Sequence, residues 1–217
     1  MQLVIGNKNH SSWSLRPWLL LHQAGIPFEE IRVPLYQAGT KSQLARYSTW
    51  ARVPILIDGP VTVWESLAIC EYLAERHADK NLWPTDIRAR AMARSVSAEM
   101  HAGFSTLRHE LSMDCRAHHP GFPVSAGARN DLDRIEALWS ECRAQFVYAG
   151  PFLFGAFSVA DAMYAPIALR VRIYDVNIKS ESADYVSALL ALPAMQAWID
   201  SARDEAERLP QFERLPV

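Results

Sequence analysis

Pro54-Ile55-Leu56-Ile57-Asp58-Gly59-Pro60-Val61-Thr62-Val63-Trp64-Glu65-Ser66 holds two short apolar runs on either side of an Asp-Gly pair, and a helical pattern follows at once. Asp-Gly between β-prone runs is a strong hairpin signal, because the favoured tight turns need positive φ at their centre. Ser66 to Arg76 then closes the unit as a helix, with Leu67, Ile69, Cys70 and Leu73 on or near one face. Working back from the hairpin, a brief polar helix is expected between Gly39 and Tyr47. Phe28, Ile31 and Val33 mark a strand ended by Pro34. Leu15 to Ala24 reads as a helix, with Pro17 tolerated in the first turn and Gly25 as its stop. Leu3-Val4-Ile5 reads as a strand buried on both faces. The order is β-α-β-α-β-β-α. A helix between the first two strands makes them parallel and the hairpin is antiparallel, so the sheet must be mixed.

Past the hairpin unit the pattern changes. Asp79-Lys80-Asn81 and Pro84 interrupt it, and from Ile87 onward strand signals vanish. Val96, Met100, Phe104, Leu107 and Leu111 recur at helical spacing. So do Leu132, Ile135, Leu138, Trp139, Cys142 and Phe146, after a break at Pro120-Gly121-Phe122-Pro123. Met195, Trp198, Ile199 and Ala202 mark a last helix. The expectation is an α/β domain over 1–78, a linker over 79–86 and an all-helical domain over 87–217, with a ligand cleft between the domains.

Bulk properties narrow the class. Of 217 residues, 22 are Lys or Arg and 24 are Asp or Glu, a net charge of −2 that provides no electrostatic footprint for nucleic acid. Arg88, Arg90 and Arg94 read as the solvated face of a helix. The apolar start Met1 to Gly6 is too short for a signal or a membrane span. Cys70, Cys115 and Cys142 lack the spacing of a zinc site or a disulfide framework, so no metal is expected and a reducing cytoplasm is.

Four stretches can carry chemistry, and each has an ordinary structural reading beside it. Ser11-Ser12-Trp13-Ser14 lies between a strand and a helix start, where a hydroxyl either caps the helix or donates to an anion at its positive end. Arg52-Val53-Pro54 opens a strand. Pro54 cannot donate to the ladder, so it either blunts an edge or leaves Val53 N–H and C=O open to a peptide-like ligand. In Trp64-Glu65-Ser66, Ser66 at a helix start can hold a carboxylate and Glu65 an ammonium, or both simply suit a helix N-terminus. Ser158-Val-Ala-Asp161 has capping-box spacing, with Phe157 as a staple and Pro166 as a kink further on; this is folding chemistry.

Taken together and in order, the segment Asn9–Leu19, the Arg52-Val53-Pro54 step, Glu65-Ser66 and the Phe154–Asp161 segment resemble the cytosolic glutathione transferase family over essentially the whole chain. The resemblance implies a thioredoxin-like N-terminal domain with a mixed four-stranded sheet, an all-helical C-terminal domain and a detoxification role. Ser11-Ser12-Trp13-Ser14-Leu15-Arg16 is most similar to the serine-type zeta class, with Trp13 where that class has a cysteine. By this likeness Ser11 stabilises the glutathione thiolate with Ser12 close behind, and Trp13 lies in the glutathione site. Pro54 is cis, Val53 pairs with the cysteinyl unit, Glu65 and Ser66 hold the γ-glutamyl end, and Arg52 approaches the glycyl carboxylate. Met100, Phe104 and Leu107 are expected to wall the pocket for a small hydrophobic electrophile. The resemblance also implies a homodimer, with Trp50 and the helix from Arg88 as interface elements.

The chemistry asked of such a site is modest. A free thiol has a pKa of about 8.5, and lowering it by about two units requires ~2.7 kcal/mol. One charge-assisted hydrogen bond supplies ~1.5–3 kcal/mol. The lack of Cys-x-x-Cys, with serines in the turn where a redox cysteine would sit, argues against dithiol redox chemistry. A zeta-like isomerase or dehalogenase, and a non-catalytic binding protein of the same fold, remain as alternatives.

Overall fold

The computed structural model describes residues 1–146 and 150–212. The first part runs β1 Gln2–Ile5, α1 Ser12–Gln23, β2 Glu29–Arg32, α2 Thr40–Leu44, β3 Ile55–Asp58, β4 Val61–Trp64 and α3 Ser66–Arg76. The strands form one sheet in the order β2-β1-β3-β4. β1 and β2 are parallel, with Gln2 opposite Glu29, whereas β1–β3 and β3–β4 are antiparallel, with Ile55 opposite Trp64. This is the mixed sheet required by one helical crossover followed by one hairpin. Leu3, Val4 and Ile5 are fully buried on alternating faces. Leu3 and Ile5 join the main core with Leu15, Leu19 and Ile69, while Val4 meets Val33, Leu44 and Ile55 on the other side.

The later described elements are α4 Ile87–Ala102, α5 Ser105–Glu110, α6 Ala126–Phe146, α7 Val159–Tyr174, α8 Ser180–Leu190 and α9 Pro193–Arg203. α7 is buried along almost its entire length and packs against α1, α4 and α8. Its start is fixed by Asp161, whose carboxylate accepts the N–H groups of Leu153 (3.1 Å) and Ser158 (2.8 Å) and the hydroxyls of Ser158 (3.1 Å) and Tyr185 (3.0 Å). Phe157 lies against Phe152 in an edge-to-face contact. The helix continues through Pro166 to Tyr174. The main apolar core is continuous from Leu3 to Ala202.

The elements depart from the sequence expectation at several points, α8 among them, and two of these bear on the site. α1 begins at Ser12, not Leu15, because a first turn needs no apolar residue once Ser11 C=O accepts the Leu15 N–H. The apolar series Val96 to Leu111 is divided at Gly103-Phe104. A Cβ on Gly103 would sit 2.8 Å from the Glu99 carbonyl oxygen, and Phe104 has φ +58°. Both segments face one core, so the spacing does not register the break.

Candidate active site

The first turn of α1 organises the site. The Ser11 hydroxyl is buried and donates to Ser14 Oγ at 2.8 Å, and Ser14 Oγ also accepts the Gly6 N–H at 3.2 Å. Ser12, half-buried at the first helical position, makes no side-chain hydrogen bond among the described residues. Its N–H is satisfied by His10 C=O and that of Leu15 by Ser11 C=O, which leaves the amides of Trp13 and Ser14 directed out of the helix start. A free hydroxyl and free amides at the positive end of a helix suit an anion.

Gly6 links this turn to the next component. A Cβ there would meet Leu35 Cδ1 at 2.5 Å and Val53 Cγ2 at 3.2 Å, so a larger residue would have to push these side chains away from the end of β1. The Val53-Pro54 peptide is cis. Neither the N–H nor the C=O of Val53 makes a backbone hydrogen bond among the described residues.

The start of α3 lies on the other side. Glu65 has φ +69° and ψ 124°, a backbone conformation that costs a non-glycine residue roughly 1–3 kcal/mol and clusters at functional sites. Ser66 is fully buried, and its Oγ accepts from Arg16 Nη1 at 3.4 Å. Arg16 also donates to Met163 C=O at 3.2 Å, and its guanidinium lies 4.4 Å from the Trp13 ring. Arg108 covers the same ring at 5.1 Å, and His101 meets it edge-on at 5.2 Å. His101 Nε2 in turn lies 3.4 Å from Glu65 Oε2.

The electrostatics are those of a buried cationic corner. Burial, then Arg108 and Arg170, bring Arg16 down to about 9, so it stays charged at neutral pH. Burial, then Arg16, lower the His101 pKa, with Glu65 opposing and Arg108 adding to the effect. Its Nδ1 is buried with no hydrogen-bond partner among the described residues. Cys70, Cys115 and Cys142 are buried, unpaired thiols whose pKa values burial pushes up to about 12, which makes them poor nucleophiles.

The structure thus gathers Ser11, Ser12, Trp13, Val53, Pro54, Glu65 and Ser66 around one helix turn. It does not bring every expected residue there. Arg52 lies 4.7 Å over the ring of exposed Trp50. Met100 and Leu107 are fully buried and Phe104 nearly so, as core residues facing inward from α4 and α5, and so they offer no open wall. Arg16, His101 and Arg108 border the site without having been singled out. Arg16 was within reach of sequence reasoning, being three residues from Trp13 on one helix face.

Comparison with known proteins bears on the family and the fold. Residues 10–76 match the family model for the glutathione S-transferase N-terminal domain, and residues 117–201 match that for the C-terminal domain. The probable maleylacetoacetate isomerase of Caenorhabditis elegans is 37% identical over 107 residues, covering 49% of this chain and 48% of its own. Glutathione S-transferase theta-1 of Mus musculus is 32% identical over 129 residues, covering 57% and 51%. The chain therefore spans about half the length of these curated relatives. The maleylacetoacetate isomerase of Rattus norvegicus aligns more fully, at 27% identity over 87% of each chain. A glutathione transferase homolog from Burkholderia GL BGR1, solved with bound glutathione, shares the fold with a TM-score of 0.71 at 24% identity, over 94% of this chain and 98% of that one. The four-stranded mixed sheet followed by helices is the fold shared with that structure. The chain belongs to the glutathione S-transferase family.

Proposed function

We propose that the chain binds glutathione with its sulfur at the first turn of α1 and activates it as a thiolate for attack on a small hydrophobic electrophile. The observation that carries this reading is the Ser12 hydroxyl, without a partner among the described residues and beside the unpaired amides of Trp13 and Ser14. Ser11, whose proton is directed to Ser14 Oγ at 2.8 Å, then supports the turn from behind. The open backbone of Val53 suits the cysteinyl unit, and Glu65 with Ser66, backed by the Arg16 charge, suits the γ-glutamyl ammonium and carboxylate. Arg52 reaches the glycyl end only by leaving Trp50. With Met100 and Leu107 buried, the electrophile would meet Trp13, His101 and Arg108.

In the chemical step the thiol proton leaves to solvent as Ser12 and the helix start stabilise the sulfur anion. The sulfur lone pair then forms the S–C bond and expels the leaving group with its electron pair. A second reading, glutathione-dependent isomerisation, is favoured by the isomerases among the relatives. There the same thiolate adds to a double bond and is released after rotation.

The test is ultraviolet absorption of glutathione bound to Ser12→Ala and to Ser11→Ala. Ser12→Ala should raise the pKa of the bound thiol by about one to two units, a ~10–100-fold loss of thiolate near neutral pH. Ser11→Ala should shift it less. An unchanged titration in Ser12→Ala removes the assignment, and no glutathione binding at all leaves the non-catalytic reading. Conjugation of an aryl halide against isomerisation of a maleyl compound separates the two enzymatic readings. Exposed Trp50, Val61 and Trp64 support a homodimer, and three buried thiols support a cytoplasmic setting.

A further inference from the structure

The polar stretch Asn7-Lys8-Asn9-His10, between β1 and Ser11, enters the site as described above only through His10 C=O, yet Asn7, Lys8 and Asn9 are buried. Its partners come from distant parts of the chain. Glu205, beyond α9, accepts the N–H of Lys8 on Oε1 at 2.6 Å and that of Asn9 on Oε2 at 3.1 Å, and its side chain is only 5% exposed. Trp198 Nε1 donates to Lys8 C=O at 2.9 Å. The Asn9 side chain donates to Asp114 Oδ1 at 2.8 Å and accepts the Arg116 N–H at 3.1 Å. Arg116 then fixes the Glu205 segment, donating to the carbonyls of Glu205 at 3.0 Å and Glu207 at 3.2 Å.

A carboxylate that takes two successive backbone donors, one on each oxygen, fixes the orientation of that peptide unit, and charge assistance strengthens both bonds. The restraint has little slack before the reactive turn. Asn7 C=O accepts the N–H groups of both His10 and Ser11, and His10 C=O accepts that of Ser12. A rotation at Lys8-Asn9 is therefore passed on to the two serines. Burial adds to this, since a buried amide left without its acceptor is costly.

We infer that Glu205 is a positioning residue of the thiol site, setting from the C-terminal segment the turn that presents Ser12. This rests on the thiolate reading above. The test uses the full chain with Glu205→Gln, and with Glu207→Gln as control. The control weakens the Arg32–Glu207 pair (3.0 and 3.1 Å) while Glu205, which Arg32 also approaches at 3.6 Å, keeps its bonds to the turn. The readouts are the thiolate titration of bound glutathione, the affinity for S-methylglutathione and the melting temperature. Glu205→Gln should raise the titration midpoint by about one unit, while S-methylglutathione affinity changes less than about threefold. Glu207→Gln should leave all three readouts in place. Glu205→Asp keeps the charge with a shorter reach, so it should recover part of the shift, and it carries the same comparison if the glutamine variant does not fold. A midpoint that stays put in either Glu205 variant, or that moves only as far as the melting temperature does across all three, overturns the proposal alone. Wild-type protein that binds no glutathione sinks the thiolate reading and the proposal together.

Discussion

Arg16 shows how a single residue can join two parts of the site. Its guanidinium is buried without a carboxylate in contact among the described residues, held by Met163 C=O and Ser66 Oγ and laid against Trp13. A buried charge without a counter-ion is costly, and a bound glutathione carboxylate near Ser66 would offset that cost. Arg16→Leu should weaken glutathione binding by about tenfold or more, as measured by calorimetry. It should also remove the bonds to Met163 C=O and Ser66 Oγ, a cost of about 1 kcal/mol each in denaturant unfolding that loss of the unpaired buried charge partly offsets. The serine turn was visible in the sequence as a polar cluster at a strand-to-helix junction, but the reading that gave the leading role to Ser11 did not foresee that its hydroxyl is taken up by Ser14 Oγ, leaving Ser12 open. His101 and Arg108 were not, since their approach to Trp13 depends on how α4 and α5 pack against α1, which no local pattern encodes.

Among the elements, α3 was legible to both ends, since Glu65-Ser66 starts it and its apolar face repeats to Leu73. α4 and α5 were not separable, because a break that keeps both pieces facing the same core preserves the spacing. The start of α7 yields a pH prediction. Burial raises the Asp161 carboxyl from its ordinary 3.8 to about 6, against four hydrogen bonds that favour the ionised form. Between about pH 4 and 6 the native state retains a proton that the unfolded chain has released, so this contribution is present below the lower value and is lost as pH rises through the upper one. Two of the donors are hydroxyls, which can turn to accept that proton. Asp161→Asn should flatten the stability profile across this window, as followed by thermal unfolding at successive pH values. Asp161→Ala should cost most below about pH 4 and less above about pH 6, while still stranding the Leu153 and Ser158 amides, a loss of about 1–3 kcal/mol.

For the whole molecule, one apolar core runs from β1 to α9, with Trp18 stacked edge-on to Trp198 at 5.0 Å. Residues on both sides of the stretch expected as a linker thus share one set of contacts. We expect a single unfolding transition, with tryptophan fluorescence and far-ultraviolet circular dichroism coincident in denaturant. Two separated transitions would show that the sheet and the helices are stable independently. Residues 1–80 expressed alone should stay unfolded, because the apolar face of α1 would lose α7. α7 lies at the centre of this arrangement, with Ala160, Ala162, Ala165 and Ala168 each enclosed. Such a helix has no vacant side on which a sequence could drift. Room for side chains to change lies instead at the rim around Trp13 and in the segment after α9, while a larger residue at any of these alanines would have to displace a neighbouring helix.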